Sequence, residues 1–353
     1  MSEDTVSVII PTYRRLETLK RALAAVAVME GPVTEVLVIV RKDDDADTYD
    51  WLVAHPDATP GLVVLPVFVP GQVQALNAGL DRAKGSYIAI FDDDAFPHKD
   101  WLTRLLVHFE QPDVGIAGGR DIVFEHEKPV PVTTVQYAGY RTFYGNLIGG
   151  HHRVVGPPRD VDSIKGCNLI IRADAIGTLR FDTRLLGKGV QMGDDSRFCD
   201  GISQGGWRIV LDPSAKVDHH AAVRAGHQRD HYSVRRCFED TANFVAIAFC
   251  NLGLLGRVRY IAFRVLFGTR ECPGFYFLAH GLLKRPKSLP SILWGGWRGF
   301  IAGYRLSRVL KQPAGEVRRC EYSKDGGVID AAGISSKKIP VLLAPNIRSA
   351  TGS

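Results

Sequence analysis

The run Gly85-Ser-Tyr-Ile-Ala-Ile-Phe-Asp-Asp-Asp-Ala-Phe-Pro97 constrains the fold more than any other stretch. Apolar and β-favouring residues from Tyr87 to Phe91 end abruptly in Asp92, Asp93 and Asp94, so the run reads as a buried strand with three carboxylates at its C-terminal end. In an open α/β sheet, ligands bind in the crevice outside the carboxyl ends of the strands. Adjacent carboxylates repel one another, and a hard divalent cation with oxygen ligands offsets that repulsion. The competing reading is an acidic strand-to-helix turn, with an Asp capping a helix that starts near His98.

The residues around this run alternate in type. Val6 to Ile10 reads as a strand broken by Pro11-Thr12, and Arg14 to Met29 has helical spacing with Leu16, Leu19, Leu23 and Val26 on one side. Strands follow at Glu35–Val40 and Leu62–Val69, the latter marked as an edge or bulge by Pro66. Helices follow at Gln72–Lys84 and Trp101–Phe109, and a strand at Val114–Ala117. Such alternation predicts an α/β, Rossmann-like, mostly parallel central sheet with helices on both faces. Residues 120 to 163 read as one long irregular stretch, of the kind that is functional or mobile. Regular structure resumes with a strand at Asn168–Arg172, a helix at Asp194–Gln204 and a strand at Trp207–Leu211. From His231 onward the pattern is helical, with segments to Leu252 and at Leu255–Phe267, Phe275–Leu283 and Leu289–Val309.

Charge is distributed unevenly. Arg224 to Arg319 holds 17 Lys/Arg against 5 Asp/Glu, a net +12 in a chain of net +6, so the remainder carries −6. A basic C-terminal region beside an acidic body suits an anionic surface as partner. Its positive charges are interleaved with long apolar stretches, which argues for a membrane surface and against nucleic acid. Trp294, Trp297, Phe300 and Tyr304, with Arg298, Arg305 and Arg308, form either an interfacial amphipathic helix or a helix packed on the body with its arginines in solvent. No uncharged apolar run reaches the length of a membrane span; Thr241 to Gly256 comes nearest, interrupted by Asn243 and Asn251. Met1 to Thr5 is acidic and does not read as a secretory signal. Six cysteines are scattered without a C-x-x-C pair, which suggests neither a zinc site nor a disulfide framework and points to a reducing cytosol.

A second acidic element, Gly193-Asp-Asp-Ser-Arg-Phe198, opens a helix. It reads either as an N-cap or as a general base, since a carboxylate beside an electrophilic carbon can take a proton from an attacking hydroxyl. Taken together, Val6 to Arg15, Leu76-Asn-Ala-Gly79, Phe91 to Pro97 followed by Trp101-Leu102, Gly166-Cys-Asn168 and Gly193-Asp-Asp195 resemble glycosyltransferase family 2, in order and spacing over residues 6 to 220.

The resemblance implies a GT-A fold and an inverting, metal-dependent transfer from a nucleoside-diphosphate sugar, with UDP as the expected nucleotide and Mg2+ or Mn2+ as cofactor. Pro11, Thr12 and Arg14 border the nucleotide, Asp43 and Asp44 hold base or ribose, and Asn77 lies in the donor motif. Asp92 and Asp93 face the donor, while Asp94, Asp92 and His219 are the metal ligands. Asp195 is the catalytic base. Asn168, Arg172, Asp194 and Trp207 line the acceptor side. The sequence departs from the family at Val40-Arg-Lys-Asp-Asp-Asp45, where strand-Asp-Asp-Gly-Ser is usual, at Leu76, where Arg is frequent, and at Asp194, where Glu is more common. His219 and its neighbours His220, His227 and His231 equally fit surface or core histidines, and His151 and His152 are looser candidates.

The expected organisation is a catalytic domain over residues 1–222, a basic amphipathic helical region over 223–311 that associates with membrane, and a flexible tail over 312–353. The expected acceptor is a glycan or lipid-linked glycan in bacterial-type polysaccharide synthesis, at the cytoplasmic face of the cell membrane. Two alternatives stand beside this. A sugar-phosphate nucleotidyltransferase should carry a Gly-rich basic loop after the first strand, which Pro11-Thr-Tyr-Arg14 is not. A non-catalytic glycan- or membrane-binding protein with the same fold should have lost the acidic elements, which are intact.

Overall fold

The computed structural model describes residues 4–187, 189–220, 233–269, 272–281 and 289–311, with a short strand pair at 321–322 and 328–329. His227, His231, the boundary at 222/223 and most of the expected tail lie outside the described residues.

The chain begins β1 (Val6–Thr12), α1 (Leu16–Ala27), β2 (Val33–Arg41), α2 (Ala46–Ala54), β3 (Leu62–Val67), α3 (Gln72–Arg82) and β4 (Tyr87–Phe91). β5 (Ala95–Pro97), α4 (Trp101–Leu106) and the long β6 (Val114–Glu125) follow, then four two-residue strands, β7 (Lys128–Pro129), β8 (Tyr140–Arg141), β9 (Leu147–Ile148) and β10 (Arg159–Asp160). β11 (Asn168–Arg172), α5 (Ala173–Ile176), α6 (Asp194–Gln204) and β12 (Arg208–His219) complete the α/β body. The helical region is α7 (Val234–Asn251), α8 (Leu254–Leu266), α9 (Phe275–Gly281) and α10 (Leu289–Leu310), and β13 (Glu321–Tyr322) pairs with β14 (Val328–Ile329).

The main sheet runs β10-β12-β6-β11-β4-β1-β2-β3. β1, β2, β3 and β4 are mutually parallel, with β3 at the edge, where Pro66 loses no ladder bond on its open side. β11 is antiparallel to both β4 and β6, and β6 and β12 are again parallel. β1 is buried along its whole length, as a strand covered on both faces must be. One face carries α1 through Leu19, Leu23 and Val26, together with Trp101 and Leu102 of α4. The other carries α3 and α6 through Val73, Leu76, Phe198 and Ile202. Gly79 sits where a Cβ would lie 2.7 Å from the Ile9 side chain, so this glycine lets α3 press onto β1.

Two strands run further than their sequence suggests. β6 continues through Glu125 and so takes up the start of the expected irregular stretch, and β12 continues to His219. Their ladder slips between Leu211 and Lys216 and then resumes with Val217 opposite Asp121 and His219 opposite Val123. A slip of this kind re-aims side chains without ending the pairing.

The helical region packs on the body. Leu185 joins Ala246, Ile247 and Leu310 in one apolar cluster. α10 lies on α7 through Gly295, Gly299 and Gly303, where a Cβ would come within 2.3, 2.5 and 2.6 Å of the carbonyl oxygens of Val234, Phe238 and Ala242. The aromatic residues of α10 are therefore divided. Trp297 and Phe300 are half-buried, with Phe300 against Phe249, while Trp294, Ile301 and Tyr304 are exposed beside Arg298, Arg305 and Arg308. Among the described residues, no helix is long and apolar enough to cross a membrane.

Candidate active site

The strand ends of β1, β2 and β4 surround a cleft of about 440 Å3, within the size range of small-ligand sites. Pro11 and Thr12 end β1 on its floor, and both line it. Arg14 then adopts a left-handed backbone, φ 55°, which a non-glycine residue holds only when its surroundings fix it. They do so here, because the Arg14 N–H donates to Asp45 Oδ2 at 2.5 Å and its Nε to the Asp44 carbonyl at 2.9 Å. The turn aims Arg15, not Arg14, at the acidic cluster. Arg15 Nη1 lies 2.9 Å from Asp93 Oδ1 and 3.1 Å from Asp94 Oδ2. Arg14 is thus a loop staple, and Arg15 is the cation that the sequence reading passed over although it ends the quoted motif.

The loop aspartates separate. Asp44 lines the cleft and is held by Arg41 at 2.6 Å and by the Tyr13 hydroxyl at 3.3 Å. Asp43 is exposed and outside the cleft lining, because the turn sends it to solvent, so the assignment to Asp43 is corrected in favour of Asp44. Asn77 is also corrected: its side chain donates to the Phe181 carbonyl at 3.0 Å and accepts the Phe181 N–H at 2.9 Å. Both ends of the amide are used in tying α3 to the 181 segment, and the side chain is buried outside the cleft lining.

The three aspartates of β4 have distinct surroundings. Asp92 is half-buried at the cleft wall and accepts from Gln72 Nε2 at 2.9 Å. Asp93 is buried and accepts from Thr12 Oγ1 at 2.9 Å. Burial raises its pKa to about 6, against the opposing pull of Arg15. Asp94 is buried, with Oδ1 3.3 Å from His219 Nε2.

The ladders explain how His219 arrives there. β5 follows Asp94 directly and pairs antiparallel with β12, setting Ala95 opposite His219. His219 is buried, with Lys165 Nζ 3.0 Å and Asp121 Oδ2 3.6 Å from its Nδ1. Burial disfavours charge on this ring, but hydrogen bonds to Asp121 and Asp94 outweigh it and raise the His219 pKa. Lys165 Nζ is in turn 2.5 Å from Asp121 Oδ2. His220 is a packing residue, stacked on Phe124 at 4.5 Å. His151 is buried against the Ser163 carbonyl.

The β4–β11 ladder brings the other pieces in. Asn168 pairs with Phe91, so Cys167 and Asp92 lie one step beyond it. Ligand atoms of Asp92, Cys167 and His219 all fall within 4.8 Å of one another. Gly166 precedes them, and a Cβ there would lie 2.2 Å from Asp195 Oδ1, so the Asp195 carboxylate rests against the Gly166 backbone. Asp194 is buried, and its pKa is raised well above the usual carboxylate range by burial first and then by the charge of Asp195, with Asp92 adding to it. Both acids open α6 behind Gly193, whose φ of 92° suits glycine. Asn243 of α7 fixes the approach to them, donating to the carbonyls of Leu186 and Met192 and accepting the Leu186 N–H.

Of the residues expected on the acceptor side, Asn168 lies at the site end of β11 with its amide oxygen committed to the fold, and Arg172 and Trp207 lie at the far end. Asn168 is buried, its Oδ1 accepting from Trp101 Nε1 at 2.7 Å and from the Gly119 N–H at 3.2 Å. Because β11 is antiparallel to β4, Arg172 pairs with Tyr87 at the opposite end of the sheet, donating to the Phe109 and Val114 carbonyls. Trp207 packs beside Arg172 there. Arg15, Gln72, Lys165, Asp121 and Cys167 belong to the site and were missed; none has a local sequence signal beyond adjacency of Arg15, Lys165 and Cys167 to motif residues.

Comparison with known proteins points the same way. Residues 7–161 match the family model described as "Glycosyl transferase family 2". That segment, somewhat under half of the chain, carries the family's pattern. It is similar to the pre-mycofactocin glycosyltransferase of Mycobacterium tuberculosis, 27% identical over 226 residues, covering 62% of this chain and 43% of that protein. The chain thus spans less than half the length of that relative. It is also similar to the succinoglycan biosynthesis protein ExoM of Rhizobium meliloti, 29% identical over 58% of this chain and 63% of the relative. Among solved structures, GalNAc-T7 with UDP, GalNAc and Mn2+ aligns with a TM-score of 0.57 at 15% identity, over 82% of this chain and 58% of that one. Residues 1–349 of S. aureus TarS align with a TM-score of 0.53 at 14% identity, over 95% and 100%. The fold is therefore the mostly parallel GT-A sheet, carrying α7–α10 as a C-terminal helical layer.

Proposed function

We propose that the chain is an inverting glycosyltransferase that moves a sugar from a nucleoside-diphosphate donor, UDP in the first instance, to a glycan or lipid-linked acceptor. The observation that carries this is the convergence of Asp195 on Gly166, next to the Asp92–Cys167–His219 grouping. Asp195 thus stands against the residue next to Cys167, whose sulfur lies within 4.8 Å of the Asp92 carboxylate, so acids from widely separated parts of the chain come close together.

The roles follow from position. Pro11, Thr12 and Asp44 would bind base and ribose along the β1–β2 wall, and Gln72 orients Asp92. Asp195 takes the proton of the acceptor hydroxyl as it attacks the anomeric carbon, and one displacement by one base inverts that carbon. Burial and the charge of Asp195 raise the Asp194 pKa, which disfavours a second negative charge beside the base. The carboxylates of Asp92 and Asp94 with an imidazole nitrogen of His219 fit Mg2+ or Mn2+, Asp94 and His219 having converged to 3.3 Å. When bound, such an ion would supply Lewis-acid stabilisation of the departing pyrophosphate. Mn2+ in GalNAc-T7 and the polysaccharide context of ExoM support this reading.

The acceptor reading extends to location. The outward stripe of α10, with Trp294, Ile301 and Tyr304 among Arg298, Arg305 and Arg308, suits an anionic membrane face at which a peripheral cytoplasmic enzyme meets a lipid-linked glycan. A nucleotidyltransferase is disfavoured by the β1 turn, which has no glycine and is held strained by Asp44 and Asp45.

A donor screen with UDP- and GDP-sugars and Mn2+, read by binding and by slow hydrolysis, tests the function without a known acceptor. Asp195→Asn should keep donor binding and lose about 100-fold or more in turnover. Normal turnover in that variant, or no binding of any nucleotide sugar by the wild type, refutes the assignment.

A further inference from the structure

Cys167 brings a thiol into a cluster otherwise built of carboxylates and imidazole. We propose that Asp92, Cys167 and His219 form a binding site for a thiophilic divalent cation of the Zn2+ type, overlapping the place where a hard cation would serve the donor.

The argument starts from the ladder. Asn168 pairs with Phe91 in antiparallel register, which sets Cys167 across from Asp92, and β12 delivers His219 to the same point. One oxygen, one sulfur and one nitrogen then lie within 4.8 Å of one another. Zn2+ binds Cys, His and Asp in tetrahedral geometry at about 2.0 to 2.3 Å, and three protein ligands with one open position is its usual catalytic-type arrangement. Asp92 and Cys167 directly flank the paired ends of β4 and β11, and His219 is the last paired residue of β12, so the backbone holds all three close to one point.

Ligand softness separates the two faces of the cluster. Asp94 offers oxygen on the side of His219 Nε2, which suits Mg2+ or Mn2+. Cys167 offers sulfur, which Mg2+ and Mn2+ do not favour and Zn2+ does. The local charge is suitable: Asp92, Asp93, Asp94 and Asp121 stand against Arg15 and Lys165. Cys167 is 2% exposed and Asp92 half-buried, so an ion enters from the cleft past Asp92. On binding, the thiol S–H bond breaks, the S–metal bond forms, and the proton leaves to buffer; no oxidation state changes.

The inference takes only its location from the donor-site reading. It is tested on the full chain under reducing conditions by titration with Co2+, a spectroscopic substitute for Zn2+, followed by competition with Zn2+. The wild type should show a near-ultraviolet thiolate-to-Co2+ charge-transfer band that Zn2+ abolishes. Cys167→Ser should lose the band and bind Zn2+ at least about 100-fold more weakly, since even outer-shell changes cost 10- to 100-fold. Its Mn2+ affinity, followed by the free-ion electron paramagnetic resonance signal, should be unchanged. Cys167→Ala, checked for an unaltered circular dichroism spectrum, should behave as Cys167→Ser does. A Co2+ complex of the wild type without the band, or equal Zn2+ affinity in wild type and both variants, overturns the proposal. If Mn2+-dependent donor binding persists in that case, only the thiol assignment falls; if no divalent ion binds, the metal part of the donor reading falls with it.

Discussion

The sharpest test of the site is a single methyl group, Gly166→Ala. The backbone of Gly166 is not in the left-handed region, so alanine fits its conformation without strain, and the added Cβ would lie 2.2 Å from Asp195 Oδ1 and 3.0 Å from its Cγ. Ordinary contact begins near 3.4 Å, so the carboxylate must withdraw by about 1 Å. The atoms met are the far end of the Asp195 side chain rather than backbone, so a side-chain movement relieves the clash. Catalysis is less tolerant, because displacing a reacting group by about 1 Å lowers rate about 100-fold, or roughly 2.7 kcal/mol in the barrier. The expected pattern is a thermal midpoint close to wild type, donor affinity retained, and kcat down by about two orders of magnitude. Donor binding by calorimetry, melting by circular dichroism and turnover with the donor found in the screen give the three numbers. Normal kcat would refute Asp195 as base. A large loss of stability would refute the claim that only a side-chain end has to move.

Three further outcomes follow from burial and pairing. Asp93 has a folded pKa of about 6 against an ordinary 3.8, so the folded state favours its protonated form; its contribution to stability is full below about pH 4 and is lost as pH rises toward 6. In metal-free protein, Asp93→Asn should therefore narrow the stability difference between pH 4 and pH 7 by up to about 3 kcal/mol, from about two pKa units, and an equal change of urea-unfolding free energy with pH in the two proteins would exclude it. Asn243→Ala leaves the Leu186 N–H and the Leu186 and Met192 carbonyls without their amide partner, and should cost about 3 kcal/mol while also lowering kcat, because the same loop leads to Asp194 and Asp195; a stable variant with normal kcat would show that the loop is held otherwise. Gly299→Ala places a methyl 2.5 Å from the Phe238 carbonyl and should lower stability by about 1 to 3 kcal/mol through separation of α10 from α7, measurable as a shift in urea midpoint at unchanged slope.

What the sequence disclosed was local. Strand β4 is legible because an apolar run stops at charge, and the helix from Asp194 to Gln204 because its acidic opening and apolar spacing agree. Motif order was enough to single out Thr12 and Asp92, both of which line the cleft. What stayed hidden depends on pairing partners. Nothing in Asn168-Leu-Ile-Ile-Arg172 states that the strand runs antiparallel to β4, yet that direction decides that Asn168 lies at the site end and Arg172 at the far end. The choice between Arg14 and Arg15 was hidden for a different reason: it turns on one left-handed residue, whose φ is fixed by hydrogen bonds from a loop 30 residues on. Asn77 misled because an amide in a shared motif looks like a ligand contact, whereas both its donor and its acceptor are spent on Phe181.

The antiparallel strand also explains why the two acidic elements need one another. In the parallel part of the sheet, β1, β2 and β4 present their carboxyl ends to the cleft and supply Thr12, Asp44 and Asp92. A further parallel strand in the place of β11 would present its own carboxyl end there and carry Gly166 and Cys167 to the opposite edge. Reversing the strand puts the residues before it at the cleft instead, and those residues are Lys165, Gly166 and Cys167. Lys165 engages Asp121, Cys167 faces Asp92, and Gly166 leaves the space that Asp195 fills. The separation of about a hundred residues between the aspartate cluster and the proposed base is thus closed by three consecutive residues at one strand start, each of which meets a different acid: Asp121, Asp195 and Asp92.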